Sequence, residues 1–158
     1  MAIRYRSSAE RRIGGVREKD IQEKPVPEPD GLTWFYWEGA QSGQLLVQRC
    51  ESCGHFLHPP NVVCPRCLSE SLIPTPVSGR GKIYAYTVAR QAFDGAFVED
   101  IPYVLALVEL EEQANLRILT NIVGAQLDEL ASDVAVEVTF EDRRDYKLPQ
   151  FRIAAQGA

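Results

Sequence analysis

The stretch CESCGHFLHPPNVVCPRC (residues 50–67) contains all four cysteines and both histidines of this 158-residue chain. Cys50 and Cys53 form one C-x-x-C pair, and Cys64 and Cys67 form a second pair after ten intervening residues. Two thiolates in each of two tight turns can point at one centre and complete a tetrahedron around a metal ion. A chain with no recognisable secretion signal is expected in a compartment that keeps disulfides reduced. We therefore predict a metal site with four cysteine ligands.

Zinc is the ion that this ligand set favours, although iron in a rubredoxin-like centre would use the same four sulfurs. His55 and His58 could each replace a cysteine, but with four thiolates available we expect both histidines to face solvent. A zinc ion held by four thiolates has no open position, so it cannot activate water or polarise a substrate. It contributes folding energy instead, on the order of 10 kcal/mol in small zinc peptides. We predict a structural Zn²⁺ ion.

The composition is that of an ordinary globular domain, with 45 % hydrophobic and 25 % charged residues. No apolar run approaches the length of a membrane span, and the basic N-terminus lacks the apolar core of a signal peptide, so we expect a cytoplasmic protein without a membrane partner. The first 19 residues are basic, whereas the whole chain has a net charge of -5. The acidic remainder would repel phosphate backbones, which makes a nucleic-acid-binding module the alternative function and not the leading one.

The residue pattern divides the chain into four segments. Residues 1–30 are polar and end in KPVPEPD, which predicts a flexible extension. Residues 31–44 contain an aromatic run, and Asp30 is placed to cap a helix over about residues 32–42. The zinc ribbon covers residues 45–76, and a final β domain covers residues 77–156.

Four successive aromatic residues in the predicted helix place rings around nearly its whole circumference. They are Trp34, Phe35, Tyr36 and Trp37. One helix on the surface of a small domain cannot bury all four rings in its own core. The helix is therefore either wedged between two subdomains or part of a partner interface, where Trp and Tyr are enriched. Both roles remain open at this point.

From Lys82 onward the apolar residues alternate with a period of two, which predicts strands. Five such stretches are present: KIYAYTVARQ, PYVLALVEL, NLRILTNIV, VAVEVTFED and PQFRIA. With a short helical turn between the third and the fourth, they match a five-stranded OB-fold barrel. PYVLALVEL is apolar on both faces at its start, which favours a central strand, and the alternating Tyr84 and Tyr86 are expected in the core. Residues 91–101 form a long loop, and the glycines of residues 79–82 form a hinge.

The chain lacks an evident catalytic constellation. Every cysteine and histidine lies in residues 50–67, so a nucleophilic pair with histidine would have to use a ribbon residue. Carboxylates such as Glu111 and Asp142 lie in charge-rich, turn-like contexts that are typical of a solvated surface. Neither a G-x-x-x-x-G-K-[ST] nor a G-x-G-x-x-G motif is present. These observations favour a binding subunit over an enzyme.

The order of the motifs resembles a known family. The aromatic helix is followed by L-x-x-Q-R-C-x-x-C-G, P-P-x-x-x-C-P-x-C, S-G-R-G-K-I-Y-A-Y-T-V, P-Y-x-x-A-L-V-E-L, V-E-V-T-F and L-P-x-F. Over about residues 33–153 this order is similar to the zinc-ribbon/OB-fold proteins encoded beside thiolase-like enzymes of acyl-CoA metabolism. The resemblance implies a mainly β fold, with an N-terminal aromatic helix, a rubredoxin-like zinc ribbon that bears the four cysteines, and then a five-stranded OB-fold barrel.

The same resemblance implies a function. Members are accessory subunits of thiolases, of ketosynthase-like enzymes or of thiolase-like aldolases that shorten steroid side chains, and the chemistry belongs to the partner. The chain is therefore expected to be non-catalytic by itself, to form a heterotetramer with a thiolase-fold dimer, and to help bind the acyl-CoA. Because CoA phosphates need cations, the candidates for acyl-CoA contact lie in or near the long loop. They are Arg80, Lys82, Arg90 and Phe93.

Overall fold

The computed structural model describes residues 24–155 and the backbone of residues 12–13 and 16–17. The flexible extension predicted for residues 1–30 therefore falls mostly outside the described residues. The chain divides into two compact units, one of Met1–Pro25 with Ala89–Pro102 and one of Val26–Val88 with Tyr103–Ala158. In the first unit, β1 (Arg12–Ile13) pairs antiparallel with β2 (Val16–Arg17), and a 3-10 turn covers Gly95–Phe97.

The second unit begins with a helix and a small sheet. The helix is α1 (Trp34–Gln41), and the strands of the sheet are β3 (Leu46–Cys50), β4 (Phe56–Leu57) and β5 (Leu72–Pro76). β3 is the middle strand and pairs antiparallel with both others. All four cysteines lie at the end of β3 or in the segments between β3 and β5, so this sheet is the framework of the predicted ribbon.

The rest of the second unit is a closed barrel. Its strands are β6 (Arg80–Ala89), β7 (Tyr103–Leu110), β8 (Arg117–Ile122), β9 (Ala135–Arg143) and β10 (Tyr146–Ile153). Around the barrel they follow the order β10-β8-β7-β6-β9, and β10 closes it by pairing in parallel with β8. A 3-10 turn at Leu127–Glu129 lies between β8 and β9. The predicted five-stranded OB-fold barrel, with its helical turn between the third and fourth strands, is confirmed.

One hydrophobic core joins the ribbon strand to the barrel. The alternation along β7 and β8 places every second side chain inside, and the buried residues include Val108 and Ile118. Leu45 and Val47, at the start of the ribbon sheet, belong to the same buried cluster as Phe151 of β10. The ribbon is therefore packed on the barrel through apolar side chains.

Helix α1 begins two residues later than its sequence predicts. The Asp30 carboxylate accepts hydrogen bonds from the backbone N–H groups of Leu32 (3.0 Å) and Thr33 (2.8 Å), and these bonds form a turn before the helix. Thr33 is the N-cap residue. The helix contacts both β3 and β10, so it is wedged between the ribbon and the barrel. Within the described residues, no helix is long and apolar enough to cross a membrane.

The hinge predicted at residues 79–82 is wrong, because both glycines are tightly packed. Gly79 has a φ of +72°, which favours glycine, and a Cβ atom there would clash with the side chain of Val138. A Cβ atom on Gly81 would clash with the carbonyl oxygen of Glu109 on the neighbouring strand. These glycines allow a close approach of neighbouring strands at the point where β6 begins.

The expectation that Tyr84 and Tyr86 lie in the barrel core is also wrong. Tyr84 and Tyr86 are 47 % and 40 % exposed, because β6 points them outward and Ile83 inward. β7 lies between β8 and β6, as expected of a central strand. On its outward face Leu105 is partly buried and Leu107 is 36 % exposed.

Candidate metal centre and binding surfaces

The four cysteines predicted to bind a metal come together in the structure. Their Sγ atoms all lie within 4.8 Å of one another. The Cys50–Cys67 and Cys53–Cys64 Sγ–Sγ distances are 3.6 and 3.7 Å, far longer than a disulfide bond of about 2.05 Å. Four sulfurs about 2.3 Å from a zinc ion in a tetrahedron would be about 3.8 Å apart. The cluster therefore fits a tetrahedral zinc ion.

Two turns of the same shape position the cysteines. In the first, Gly54 has a φ of 72° and its N–H donates to the carbonyl of Cys50 at 2.8 Å. In the second, Leu68 has a φ of 61° and its N–H donates to the carbonyl of Cys64 at 2.9 Å. Glycine is the residue that this left-handed conformation favours, so the second turn holds its leucine at a steric cost. Each C-x-x-C pair thus turns both thiols to one side.

Two of the four thiols have pKa values that are shifted in opposite directions. Desolvation by burial opposes ionisation of Cys50, but hydrogen bonds from the backbone N–H groups of Cys53 and Ser52 and from neighbouring thiols lower the pKa of Cys50 to about 6. Despite a backbone hydrogen bond from Ser69, the neighbouring thiols and burial raise the pKa of Cys67 to about 12. The Cys67 thiol therefore stays protonated at neutral pH without a cation beside it. Zn²⁺ would supply the charge that lets all four bind as thiolates.

The expectation that both histidines face solvent is wrong for His58. Its ring lies against Tyr36 of α1, with 5.4 Å between the ring centroids. Its Nδ1 atom is buried and has no hydrogen-bond partner in the described part of the chain. Burial lowers the pKa of His58 to about 4, so the imidazole is neutral at pH 7. The physical reason is that the loop after β4 folds back onto the aromatic helix. His55 is partly buried, and its carbonyl accepts a hydrogen bond from the N–H of Cys50.

The residues predicted to contact acyl-CoA have different surroundings. Arg80 pairs with Glu111 at 3.0 Å and Lys82 pairs with Asp133 at 2.6 Å. The hydrogen bonds to these carboxylates raise the pKa of both cations. A phosphate would therefore have to displace a carboxylate at either position. The other two candidates, Arg90 and Phe93, are exposed in the stretch Ala89–Pro102 of the first unit, and Phe93 is 92 % exposed.

The four aromatic residues of α1 are not equally accessible. Phe35 is 4 % exposed, and Tyr36 packs against the shared core, where burial raises its pKa to about 12. Trp37 is half-buried and meets Tyr36 edge to face, with 5.0 Å between ring centroids. Trp34 is 51 % exposed. Of this aromatic run, Trp34 is the ring most available to a partner.

Sequence reasoning missed one exposed apolar surface, on the outside of the barrel. Leu119 of β8 is 69 % exposed and is paired directly with Leu107 of β7. The signal for this surface was present in PYVLALVEL, which is apolar on both faces. The same pattern favours a central strand, and it does not show whether the outward face of that strand is covered.

Two family models match consecutive parts of the chain. The rubredoxin-like zinc ribbon domain of ChsH2 matches residues 37–72, and the C-terminal OB-fold domain of ChsH2 matches residues 74–141. The first match contains the four clustered cysteines, and the second contains β6, β7 and β8 of the barrel. Both parts of the observed fold therefore have a counterpart in the family models.

Known proteins match over most of the chain. It is 35 % identical over 139 residues to a probable enoyl-CoA hydratase alpha subunit of Thermomonospora curvata, and the match covers 87 % of this chain but 42 % of that protein. It is 32 % identical over 136 residues to the benzoylsuccinyl-CoA thiolase subunit BbsA of Thauera aromatica, over 82 % of this chain and 90 % of that subunit. The solved Ltp2-ChsH2(DUF35) aldolase matches with a TM-score of 0.74 and 34 % identity, over 82 % of this chain and 100 % of the matched chain.

These matches differ in how much of each protein they include. The chain spans less than half of the Thermomonospora hydratase subunit but nearly the full length of the Thauera thiolase subunit. The likeness to the aldolase chain extends over the ribbon and the barrel together and is accompanied by substantial sequence identity. The chain therefore belongs to the ChsH2 (DUF35) family of zinc-ribbon/OB-fold proteins.

Proposed function

We propose that the chain is a non-catalytic accessory subunit of a thiolase-like enzyme, a thiolase or a retro-aldolase, that acts on acyl-CoA substrates in lipid or steroid side-chain catabolism. One observation carries this proposal: the chain aligns with 90 % of a protein named as a thiolase subunit and with the whole of a chain from a two-component aldolase. In both named proteins, the zinc-ribbon/OB chain is one component of an acyl-group enzyme or an aldolase.

The chemistry of the metal centre supports an accessory role. Four thiolates would fill every position of a tetrahedral zinc ion, so the ion would hold the ribbon together and would not bind substrate. No cysteine or histidine lies outside residues 50–67, and His58 is held neutral in a buried contact with Tyr36. The reacting groups are therefore proposed to come from the partner.

The charges of the barrel count against the nucleic-acid alternative. Arg80, Lys82 and Arg117 project from β6 and β8, and each of them pairs with a carboxylate. Binding to a nucleic acid needs cations that are free to neutralise phosphates, together with a basic groove. The chain is acidic overall, with a net charge of -5. These features favour a protein partner.

The same proposal includes the stoichiometry, the location and the contact residues of the complex. The chain and a thiolase-fold dimer form a heterotetramer in the cytoplasm, and Trp34 contributes to the interface. Arg90 and Phe93 contact the acyl-CoA shared with the partner, because both are exposed and Phe93 offers a nearly bare ring. Arg80 and Lys82 contribute only if a phosphate displaces Glu111 or Asp133.

The test is reconstitution of the purified chain with a thiolase-like protein from the same organism. We expect the two proteins to migrate as one complex in size-exclusion chromatography, and we expect acyl-CoA turnover by the complex but not by the isolated chain. A partner that is fully active alone and does not co-migrate would contradict the proposal. Salt-sensitive binding of single-stranded DNA in a gel shift would favour the nucleic-acid alternative instead.

A further inference from the structure

The outward side of strands β6, β7 and β8 carries apolar residues where an exposed antiparallel sheet usually carries polar ones. Along β7 the residues Val104, Ala106 and Val108 are buried in the core, while Leu105 and Leu107 point outward. On β8, Leu119 points outward between the buried residues Ile118 and Thr120 and is 69 % exposed.

These residues form one continuous surface. Leu107 and Leu119 are directly opposite each other in the β7–β8 pair. Arg117 lies two residues from Leu119, on the same side of β8, and its guanidinium stacks over the Tyr84 ring of β6 at 3.4 Å from the centroid. We name this surface the outer barrel face and define it as Tyr84, Leu105, Leu107, Arg117 and Leu119.

The charges around the outer barrel face are neutralised within the chain. Arg117 pairs with Glu109 at 3.0 Å, and their side chains are only 28 % and 17 % exposed. Lys82, next to Tyr84 on the same side of β6, pairs with Asp133 at 2.6 Å. A phosphate-bearing ligand would have to displace a carboxylate from each of these cations. A contiguous exposed apolar patch marks an interaction site, and aromatic residues and arginine are enriched in protein–protein interfaces.

β7 and β8, the strands that carry Leu107 and Leu119, pair with each other over Val104–Glu109 in the closed barrel. A partner that covers these two leucines therefore cannot add a strand between them and has to pack side chains against the face. Apolar packing of this kind requires a partner surface that is itself apolar and uncharged.

We propose that the outer barrel face docks on an apolar, uncharged surface of the catalytic thiolase-like subunit. The identity of the partner rests on the proposed function, and the location of the contact rests on the exposure and pairing of Leu107 and Leu119. The charged side chains around the outer barrel face are paired within the chain. Contact with an uncharged partner surface would therefore bury no unpaired charge on either protein. Leu119, the most exposed leucine of the face, is its anchor.

The substitution Leu119→Lys tests this assignment. It places a charge in the centre of the contact, so we expect at least about tenfold weaker affinity for the thiolase-like subunit than the wild-type chain shows. The melting temperature of the chain should stay close to that of the wild type, because the side chain is 69 % exposed. Leu68→Lys is the matched control: this ribbon leucine is 76 % exposed and lies outside the face, so affinity should change less than about twofold. Isothermal titration and thermal melts provide the two measurements.

The outcomes separate this inference from the proposed function. If the wild-type chain binds the thiolase-like subunit and Leu119→Lys binds equally well, the outer barrel face is overturned and the proposed function stands. If the wild-type chain binds no thiolase-like subunit, the proposed function is contradicted, and the docking inference that rests on it is overturned as well. A self-association of the isolated chain that Leu119→Lys abolishes in sedimentation would assign the face to a second copy and overturn the proposal. If Leu119→Lys lowers the melting temperature, Leu119→Ser gives the same comparison without a buried charge.

Discussion

At the scale of single residues, His58 links the metal ribbon to the aromatic helix through an uncharged contact. Its imidazole lies beside Tyr36, and burial lowers its pKa from 6.5 to about 4. Between these two pH values the unfolded chain binds a proton that the folded chain does not bind. The stabilising contribution is therefore complete above pH 6.5, decreases progressively as the pH falls from 6.5 to 4, and is fully lost below pH 4.

This contact predicts a specific pH dependence. Between pH 7.5 and pH 5, the wild-type chain should lose about 2 kcal/mol more of its free energy of unfolding than His58→Gln, which has no imidazole to protonate. Urea denaturation at the two pH values measures the difference, and any effect of acid on the cysteines is common to both proteins. His55→Gln is the matched control, because it leaves the contact between His58 and Tyr36 in place. Equal losses in wild type and His58→Gln would contradict a buried neutral His58.

At the scale of elements, the features that follow from neighbouring residues in the sequence were predictable. The spacing of four cysteines encodes the ribbon, and the period-two alternation encodes the five strands, because each pattern is created within a few residues. The role of Gly81 was not predictable, since it depends on the carbonyl of Glu109 in a different strand. The exposure of Leu107 could not be predicted for the same reason. The sequence shows that residue 107 is apolar, but it does not show which other residues cover its side chain.

The packing of Gly81 leads to an element-scale prediction. Gly81→Ala should destabilise the chain by about 1–3 kcal/mol, because the new methyl group meets a backbone oxygen that cannot rotate away. Gly31→Ala is the matched control: nothing lies within 4 Å of a Cβ atom at that position, so its effect should be small. Chemical denaturation gives both values. A hinge role for residues 79–82, as the sequence indicated, would instead make the two substitutions similar in effect.

At the scale of the whole molecule, the ribbon and the barrel should unfold together. Val47 of the ribbon strand is buried in the same cluster as Val136 and Phe151 of the barrel. The N–H of Val77 donates to the carbonyl of Leu45 at 3.0 Å, and this bond connects the two ends of the ribbon sheet beside the barrel. Helix α1 contacts both parts. Loss of order in the ribbon therefore removes packing from the barrel core.

Removal of the metal tests this coupling. In scanning calorimetry the zinc-loaded chain should show one transition, and chelation or Cys64→Ser should lower its midpoint by about 10 °C or more, because zinc ligation contributes several kcal/mol to folding. Ser52→Ala is the control within the ribbon: the Ser52 hydroxyl lies 2.8 Å from that of Ser69 at an exposed position, so its loss should cost about 0.5 kcal/mol or less. Two transitions, with the upper one unaffected by chelation, would show that the barrel folds independently of the ribbon. A single shifted transition would show that the zinc ion stabilises the barrel, and with it the outer barrel face, through the shared core.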